Sequence, residues 1–293
     1  MAKDRLTIGV VCSRGIGPER GGRALNEDNY LVCRDGEARY RDHDREAVEP
    51  LTTLGSLICV ADGMGGHEDG DLASGAAVRA MTRLFKRGLP EDPEQHLHRF
   101  VLDAHRRLHD KVSERGPVRM GTTLTCLWVL EGQAFFTHVG DSRLYHWRQG
   151  KLRRITQDHT RANFAVRDGR PPDSDGAFLA QNFLYGSRGF GDNPGIRVDA
   201  GTDTGVLELA AGDRLMLCSD GLSNMVPDHR IGDVLSEVPG PQSAATALTE
   251  RALAAGSNDN VTVIVVRVDA SFSRRVDPMT DQVVDDNTLV PMD

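Results

Sequence analysis

The chain has 293 residues, 39% of them hydrophobic and 27% charged, with a formal net charge of −8. That length can bury a substantial core, and the acidic balance, with no basic stripe, excludes a general nucleic-acid binder, whose phosphate contacts need clustered Lys and Arg. Cys12, Cys33, Cys59, Cys126 and Cys218 form no CxxC pair and no even framework, which fits reduced packing residues in a cytoplasmic protein, and no apolar run has the length of an export signal or membrane span.

In chain order, residues 6–13 and 30–33 read as strands, separated by a Gly-rich, Arg-containing loop over 14–23. A third strand over 54–61 runs into Asp62-Gly63-Met64-Gly65-Gly66-His67. Leu72, Ala76, Ala80 and Leu84 then repeat with helical spacing. A second helix is predicted from Asp92-Pro93, with Asp as N-cap and Pro at the first helical position, and with Leu97, Val101, Ala104, Leu108 and Val112 on one face. Both helices are expected to lie side by side on a sheet. Segments 122–130, 133–139, 143–147 and 152–155 are joined by connections too short for parallel crossovers, so an antiparallel meander is expected.

From 160 to 182 the pattern gives way to a polar stretch containing Arg170-Pro171-Pro172-Asp173, the candidate for a flap over a site. Residues 206–209 and 214–218 read as a hairpin, 230–238 and 242–255 as helices, and 261–268 as a β-branched closing strand. Strands, helices, strands, helices, strand is an α+β order rather than a βαβ repeat. No repeat or low-complexity run interrupts the chain before about residue 270. One catalytic domain over 1–270 and an acidic, flexible tail over 271–293 are therefore expected.

Four acidic blocks carry the chemistry: Asn26-Glu27-Asp28-Asn29, Ala61-Asp62-Gly63-Met64-Gly65-Gly66, Ser219-Asp220-Gly221 and Asn258-Asp259-Asn260. Three of them adjoin strongly apolar segments, and carboxylates at strand ends are how a rigid scaffold collects hard-cation ligands. A pair of Mg²⁺ or Mn²⁺ ions roughly 4 Å apart can share a bridging water acidified toward neutrality, able to attack phosphorus in line. Asp62 is the natural bridging ligand, because it ends a buried strand and precedes Gly63, whose carbonyl can approach a metal unobstructed. Glu27 and Asp28 would serve one side, Asp220 and Asp259 the other, and Arg23 is placed to clamp phosphate oxygens in bidentate fashion.

The ordered set resembles the metal-dependent protein serine/threonine phosphatases, the type 2C or PPM family, in its bacterial form. The matching pieces are Arg23-x-x-Asn26-Glu27-Asp28, Ala61-Asp62-Gly63-Met64-Gly65-Gly66-His67, Gly121-Thr122-Thr123, Val139-Gly140-Asp141-Ser142-Arg143, Asp158-His159-Thr160, Leu217-Cys218-Ser219-Asp220-Gly221-Leu222 and Asp259-Asn260-Val261-Thr262. The resemblance implies a central antiparallel β-sandwich flanked by helices on both sides, with a flap near 160–190 and a metal site at one end. It also implies that Glu27, Asp28 through water, Asp62, the Gly63 carbonyl, Asp220 and Asp259 hold two Mn²⁺ or Mg²⁺ ions. Asp141 matches the position of a third, weaker ion, and Arg23 matches the phosphate-binding arginine. The implied partners are phosphorylated Ser/Thr proteins, with a cognate Ser/Thr kinase acting in opposition; no nucleic acid or membrane partner is expected, and a monomer is favoured.

Two departures stand out. Many eukaryotic relatives place a His directly after the Asp-Gly, where this chain has Met64. The proton donor is therefore unassigned, with His67 as a substitute or a helix-entry residue. The run Tyr185-Gly186-Ser187-Arg188-Gly189-Phe190-Gly191 only loosely matches the Thr-Arg-Ala-Leu-Gly of the family.

Taken singly, Asp62-Gly63 is a strand-ending turn, Asp259-Asn260 an ordinary cap, and Asp141-Ser142-Arg143 a turn with a surface ion pair. His159 is expected to order the base of the flap, and Trp128, Phe135, Phe136 and Trp147 to pack in the core or on a sheet face. Two other readings compete. Cys33 and Arg39 fit a Cys-x5-Arg nucleophile loop, but Asp35 and Glu37 would repel a phosphate dianion there. A phosphoprotein-binding regulator without turnover has no need of the complete ligand set.

Overall fold

In the computed structural model, residues 5–64, 69–87, 90–113, 121–167, 169, 171 and 203–270 are described, together with two paired three-residue strands at Arg274–Val276 and Val283–Asp285. The β-branched run Val261–Val268 (β13) is paired on both flanks, by β1 (Leu6–Ser13) and β12 (Arg214–Cys218). With β9 (Arg143–Arg148) and β10 (Lys151–Arg154) these form a five-stranded antiparallel sheet in the order β1-β13-β12-β9-β10. The second sheet runs β11 (Asp203–Glu208), β8 (Gln133–Val139), β7 (Leu124–Leu130), β5 (Ser56–Met64), β2 (Asp28–Arg34), β3 (Glu37–Asp42), β4 (Arg45–Pro50), with β6 (Gly121–Thr122) on the end of β5.

Alternation along the strands divides their side chains between three apolar layers. Tyr30, Val32, Ile58, Val60, Leu127 and Val129 from one sheet meet Leu144, Leu215, Leu217, Ile264 and Val266 from the other in the sandwich core. The opposite face of the larger sheet, with Leu31, Leu57 and Trp128, is covered by α1 (Asp69–Met81) and α2 (Pro93–Ser113). The opposite face of the smaller sheet is covered by α5 (Asp228–Glu237) and α6 (Pro241–Ala254), through Ile231, Val234, Leu235, Ala244 and Leu248. The helix–sheet–sheet–helix order expected from the resemblance is the observed one. Trp128 and Phe135 pack under α1 and α2 and Phe136 lies between the sheets, while Trp147 is partly buried against the α5–α6 layer.

The predicted cap of α2 is present: the Gln95 amide donates to Asp92 Oδ1 at 2.9 Å, an interaction typically contributing about 1 kcal/mol. Four local expectations need correction. Strands β3 and β4 were not anticipated, because their alternating outer positions are charged and β4 is a largely exposed edge. Of the predicted stripe, Leu72 is 44% exposed, whereas Ala76, Ala80 and Leu84 pack against the sheet together with Ala73, Ala77, Val78 and Met81, small residues that widen the buried face beyond what periodicity alone marks. Segments 122–155 are not one meander: β7 and β8 pair in the larger sheet, whereas the chain turns at Gly140 and enters the smaller sheet as β9. Nor do 206–209 and 214–218 form a hairpin, since β11 pairs with β8 and β12 with β9 and β13. Short connections are compatible with a corner between sheets as well as with a hairpin, and only packing distinguishes them. Most of the expected flap, from 172 to 202, lies outside the described residues, while α3 (Arg161–Arg167) begins it.

Helix α6 sits directly on β1, where Gln242 accepts from the Val10 amide at 3.0 Å and donates to the Val10 carbonyl at 2.9 Å, occupying the open edge of the sheet. Gly9 makes this approach possible, because a Cβ there would come within 2.2 Å of the Gln242 backbone nitrogen. Gly9→Ala is expected to destabilise the fold by about 1–3 kcal/mol, the usual cost of overpacking. Urea denaturation measures it, and an unchanged midpoint would contradict the close seating of α6.

Candidate metal centre

Four strand ends and one corner converge at one end of the sandwich. Asp28 begins β2 and Asp62 lies near the end of β5, and the two are direct cross-strand partners, a placement that brings Cβ atoms to about 5 Å. Asp220 follows β12 as the first residue of a short helix, α4 (Asp220–Ser223). Asp259 precedes β13, and Asp141 lies in the corner between β8 and β9. The sequence blocks, up to 233 residues apart, thus meet because both sheets present matching ends.

Hydrogen bonds fix each carboxylate-bearing segment. Asp28 Oδ2 accepts from Ser219 Oγ and Thr262 Oγ1, both at 2.7 Å, so one carboxylate ties β2 to the ends of β12 and β13. Arg41 donates through Nε to the Asp28 carbonyl at 2.7 Å and pairs with Asp71 at the start of α1. The Asp62 amide donates to Thr123 Oγ1 at 2.9 Å, and Thr123 Oγ1 meets Ser142 Oγ at 2.6 Å beside Asp141. Asn260 accepts from the Glu27 amide at 2.8 Å and donates to the Arg14 and Leu25 carbonyls at 3.0 Å. Asn224 donates to Asp220 Oδ2 at 3.1 Å. Gly63 is required sterically: a Cβ would come within 2.2 Å of the Gly70 carbonyl oxygen and 2.5 Å of that of Glu27.

The electrostatics are those of like charges forced together. Burial, then the charges of Asp220 and Asp259, push Asp28 up to about 7 against the hydroxyl donors Ser219 and Thr262. Asp62 is raised well above the carboxylate range by burial and by Asp28, Asp220, Asp141 and Asp259. Asp141 is pushed up to about 7 by burial, then by Asp220 and Asp158. Asp220 is raised by burial and Asp259, and its carboxyl group reaches that of Asp62. Burial also raises Glu27, whose Oε1 is buried without a hydrogen-bond partner among the described residues. Carboxylates, one free carboxylate oxygen and a close-packed glycine carbonyl form the donor set of a hard divalent cation. The residues present fit such ions. Among the described residues the trio whose donor atoms all lie within 4.8 Å of one another is His138, His159 and Asp203.

The family model for protein phosphatase 2C matches residues 51–255. The chain belongs to the protein phosphatase 2C family. It is a protein serine/threonine phosphatase of that type. It is similar to the serine/threonine phosphatase stp of Listeria welshimeri, 32% identical over 79% of this chain and 92% of that one. It is also similar to PstP of Mycobacterium tuberculosis, 34% identical over 72% of this chain and 40% of the relative. A crystal structure of the M. tuberculosis enzyme covers 90% of this chain and 99% of its own at 30% identity, with a TM-score of 0.69. A structure of the PstP catalytic domain in complex with two manganese ions covers 90% and 98% at 32% identity, with a TM-score of 0.68.

The structure brings Asp28, Asp62, Gly63, Asp220 and Asp259 together, with Glu27 beside Gly63 and Asp141 close enough to raise Asp62. Arg23 is also at the site, but its guanidinium grips Asp259 through Nε and Nη2 at 2.8 and 2.9 Å. The Cys-x5-Arg reading fails. Cys33 is wholly buried under the helices and its thiol is pushed up to about 12 by burial, while Arg39 pairs with Glu37 at the surface. Asp141-Ser142-Arg143 is not a turn with a surface pair, because Arg143 and Asp158 pair largely out of solvent. Met64 pairs with Gly121 as the last residue of β5; His67 and the 185–191 run lie outside the described residues. The supports Ser219, Thr262, Thr123, Arg41 and Asn224, with Ser74, whose Oγ donates to the Glu27 carbonyl at 2.6 Å, are not among the predicted site residues. Three of them, Ser219, Asn224 and Thr262, stand in or beside the acidic motifs, where a hydroxyl or amide next to a buried carboxylate is itself a signal.

A carboxyl group with a raised folded-state pKa binds a proton in the folded chain when the unfolded chain has lost it, so stability falls as pH rises through that interval. Metal-free protein is therefore expected to lose stability between about pH 4 and about pH 7, the range from the ordinary Asp value to that of Asp28 and Asp141. Thermal melts in chelator across this range measure the slope, and a divalent cation should flatten it. Stability rising with pH in chelator would contradict the repulsion.

Proposed function

We propose that this phosphatase hydrolyses phosphoserine and phosphothreonine on proteins at a centre of two Mn²⁺ or Mg²⁺ ions, opposing Ser/Thr kinases. What carries the reading is the convergence of buried, mutually repelling aspartates on one end of the sandwich. Asp62, the Gly63 carbonyl, Glu27, Asp220 and Asp259, with Asp28 through water, would hold the two ions. Asp141 would hold a weaker third ion. The two manganese ions in the PstP structure support this assignment. Bound in this way, the ions would acidify a water shared between them and polarise the phosphate oxygens.

The protein's own residues do the rest. Ser219 and Thr262 orient the Asp28 carboxylate, and Thr123 anchors the Asp62 backbone, so the cluster is preorganised rather than gathered by the ions. Arg23 forks onto Asp259 and its side chain is 53% exposed, so the same guanidinium would be placed to fork onto two phosphate oxygens where Asp259 holds an ion. Met64 has no proton to give, so the leaving alkoxide is not protonated from that position. The catalytic domain spans 1–270 in this reading, and 271–293 forms an acidic tail. No helix among the described residues is long and apolar enough to cross a membrane.

Two substitutions test the assignment. Asp62→Asn removes one charge from the repelling cluster, so it is expected to abolish manganese-dependent release of phosphate from a phosphothreonine peptide while raising the melting temperature of the metal-free protein. Retained turnover, or a lower metal-free melting temperature, would remove Asp62 from the ligand set. Arg23→Lys keeps the charge and loses the fork. Its kcat/KM on the peptide is expected to fall about 10- to 100-fold, the equivalent of one or two charged hydrogen bonds; an undiminished value would show that Arg23 does not bind phosphate.

A further inference from the structure

His138, His159 and Asp203 form a compact group beside the aspartate cluster, with their donor atoms within 4.8 Å of one another. Hydrogen bonding argues against a second metal site there. The Gly140 amide donates to His159 Nδ1 at 3.2 Å, which places the ring proton on Nε2, facing Asp203 Oδ2 across 3.5 Å. His138 Nε2 lies 3.1 Å from the Gln157 carbonyl and can only donate to it, while Nδ1 meets Thr125 Oγ1 at 2.8 Å. Both Nε2 atoms carry protons, whereas a metal-ligating imidazole turns a bare nitrogen to the ion and donates with the other. The group is a clasp in which hydrogen bonds hold both rings to the backbone and Asp203 stands in polar contact with His159.

What the clasp holds is the Gly140–Asp141 peptide segment. The His159 amide donates to the Gly140 carbonyl at 2.7 Å, so backbone and ring of one residue grip both polar groups of Gly140. Gly140 has φ +111° and is pressed against Thr123, where a Cβ would meet the Thr123 side chain at 2.6 Å. This conformation belongs to glycine and leaves the turn little side-chain packing of its own. On the far side of Asp141, Arg143 forks onto Asp158 at 2.9 and 2.7 Å. Asp158 and His159 therefore hold the corner on either side of Asp141. His159 is buried against the His138 ring at a centroid distance of 4.7 Å. Asp203 stands opposite His138 in the β11–β8 register, where the chain re-enters the sheet after the segment that leaves from His159.

We propose that His159, steadied by Asp203, is a positioning residue that sets the Asp141 carboxylate for the weakest of the bound ions. The inference rests on the reading of Asp141 as a third-ion ligand. Outer partners of metal ligands typically change affinity about 10- to 100-fold when removed.

Isothermal titration of the full-length, chelator-treated chain with Mn²⁺ resolves the binding events, and thermal melts report folding. Asp141→Asn is expected to delete the weakest event and leave the tighter ones. His159→Leu should weaken that same event about tenfold or more, with the tighter events unchanged, and His159→Asn, whose Oδ1 can accept the Gly140 amide, should restore most of it. Asp203→Asn should weaken it by a smaller factor. If Asp141→Asn deletes the weak event but His159→Leu and Asp203→Asn leave it intact, the positioning role is overturned. If Asp141→Asn leaves it intact, the Asp141 reading fails instead. Should His159→Leu lose its native melt, Asp203→Asn and His159→Asn carry the test: an unweakened event in the first overturns the proposal, and so does loss of the event in the second.

Discussion

Repulsion between buried carboxylates is the interaction around which this molecule is organised. Asp28, Asp62, Asp141 and Asp220 each have their proton affinity raised by burial and by at least one neighbouring acid. A chain selected for stability alone would not assemble such a cluster, since an uncompensated buried charge is among the costliest features a fold can carry. The Arg23 fork on Asp259 relieves part of the strain. The rest can be relieved by protons or by cations, and at neutral pH cations of high charge density are the effective choice.

The scaffold tolerates this because its other layers are conventionally packed. Three apolar layers, one between the sheets and one under each helical pair, contain the fully buried Leu, Ile and Val side chains. The strand register transmits that order to the site. Asp28 and Asp62 are opposed because Leu31, Tyr30 and Val32 are already paired with Cys59, Val60 and Ile58. A slip of one residue would turn every one of these side chains to the wrong face. Hydroxyls from the other sheet, Ser219 and Thr262, then lock Asp28 in place, so the site belongs to neither sheet alone.

The corner at Gly140 shows the same economy. The chain leaves the larger sheet and enters the smaller one within a few residues, presenting Asp141 as it passes. The motif Asp158-His159 holds this corner: the aspartate anchors Arg143 and the histidine anchors Gly140. A pair of motifs that look independent in sequence thus act as one structural device.

Fold class and family were legible in the amino-acid order, because strand and helix periods are local and because seven short motifs in fixed order carry family information that no single one does. The same order placed β1, β8 and β13 to the residue and the α2 cap on Asp92. Other features are set by packing: which sheet receives β9 and β11, which face of α1 is buried, the charged edge strands β3 and β4, and the occupation of Arg23 by Asp259. These depend on contacts between segments far apart in the chain, and a turn signal such as Gly140-Asp141 is the same whether the next strand pairs back or crosses to the opposite sheet. The supporting hydroxyls depend on packing for a related reason, since Ser219 and Thr262 become partners of Asp28 only once two sheets have brought them to the same carboxylate oxygen.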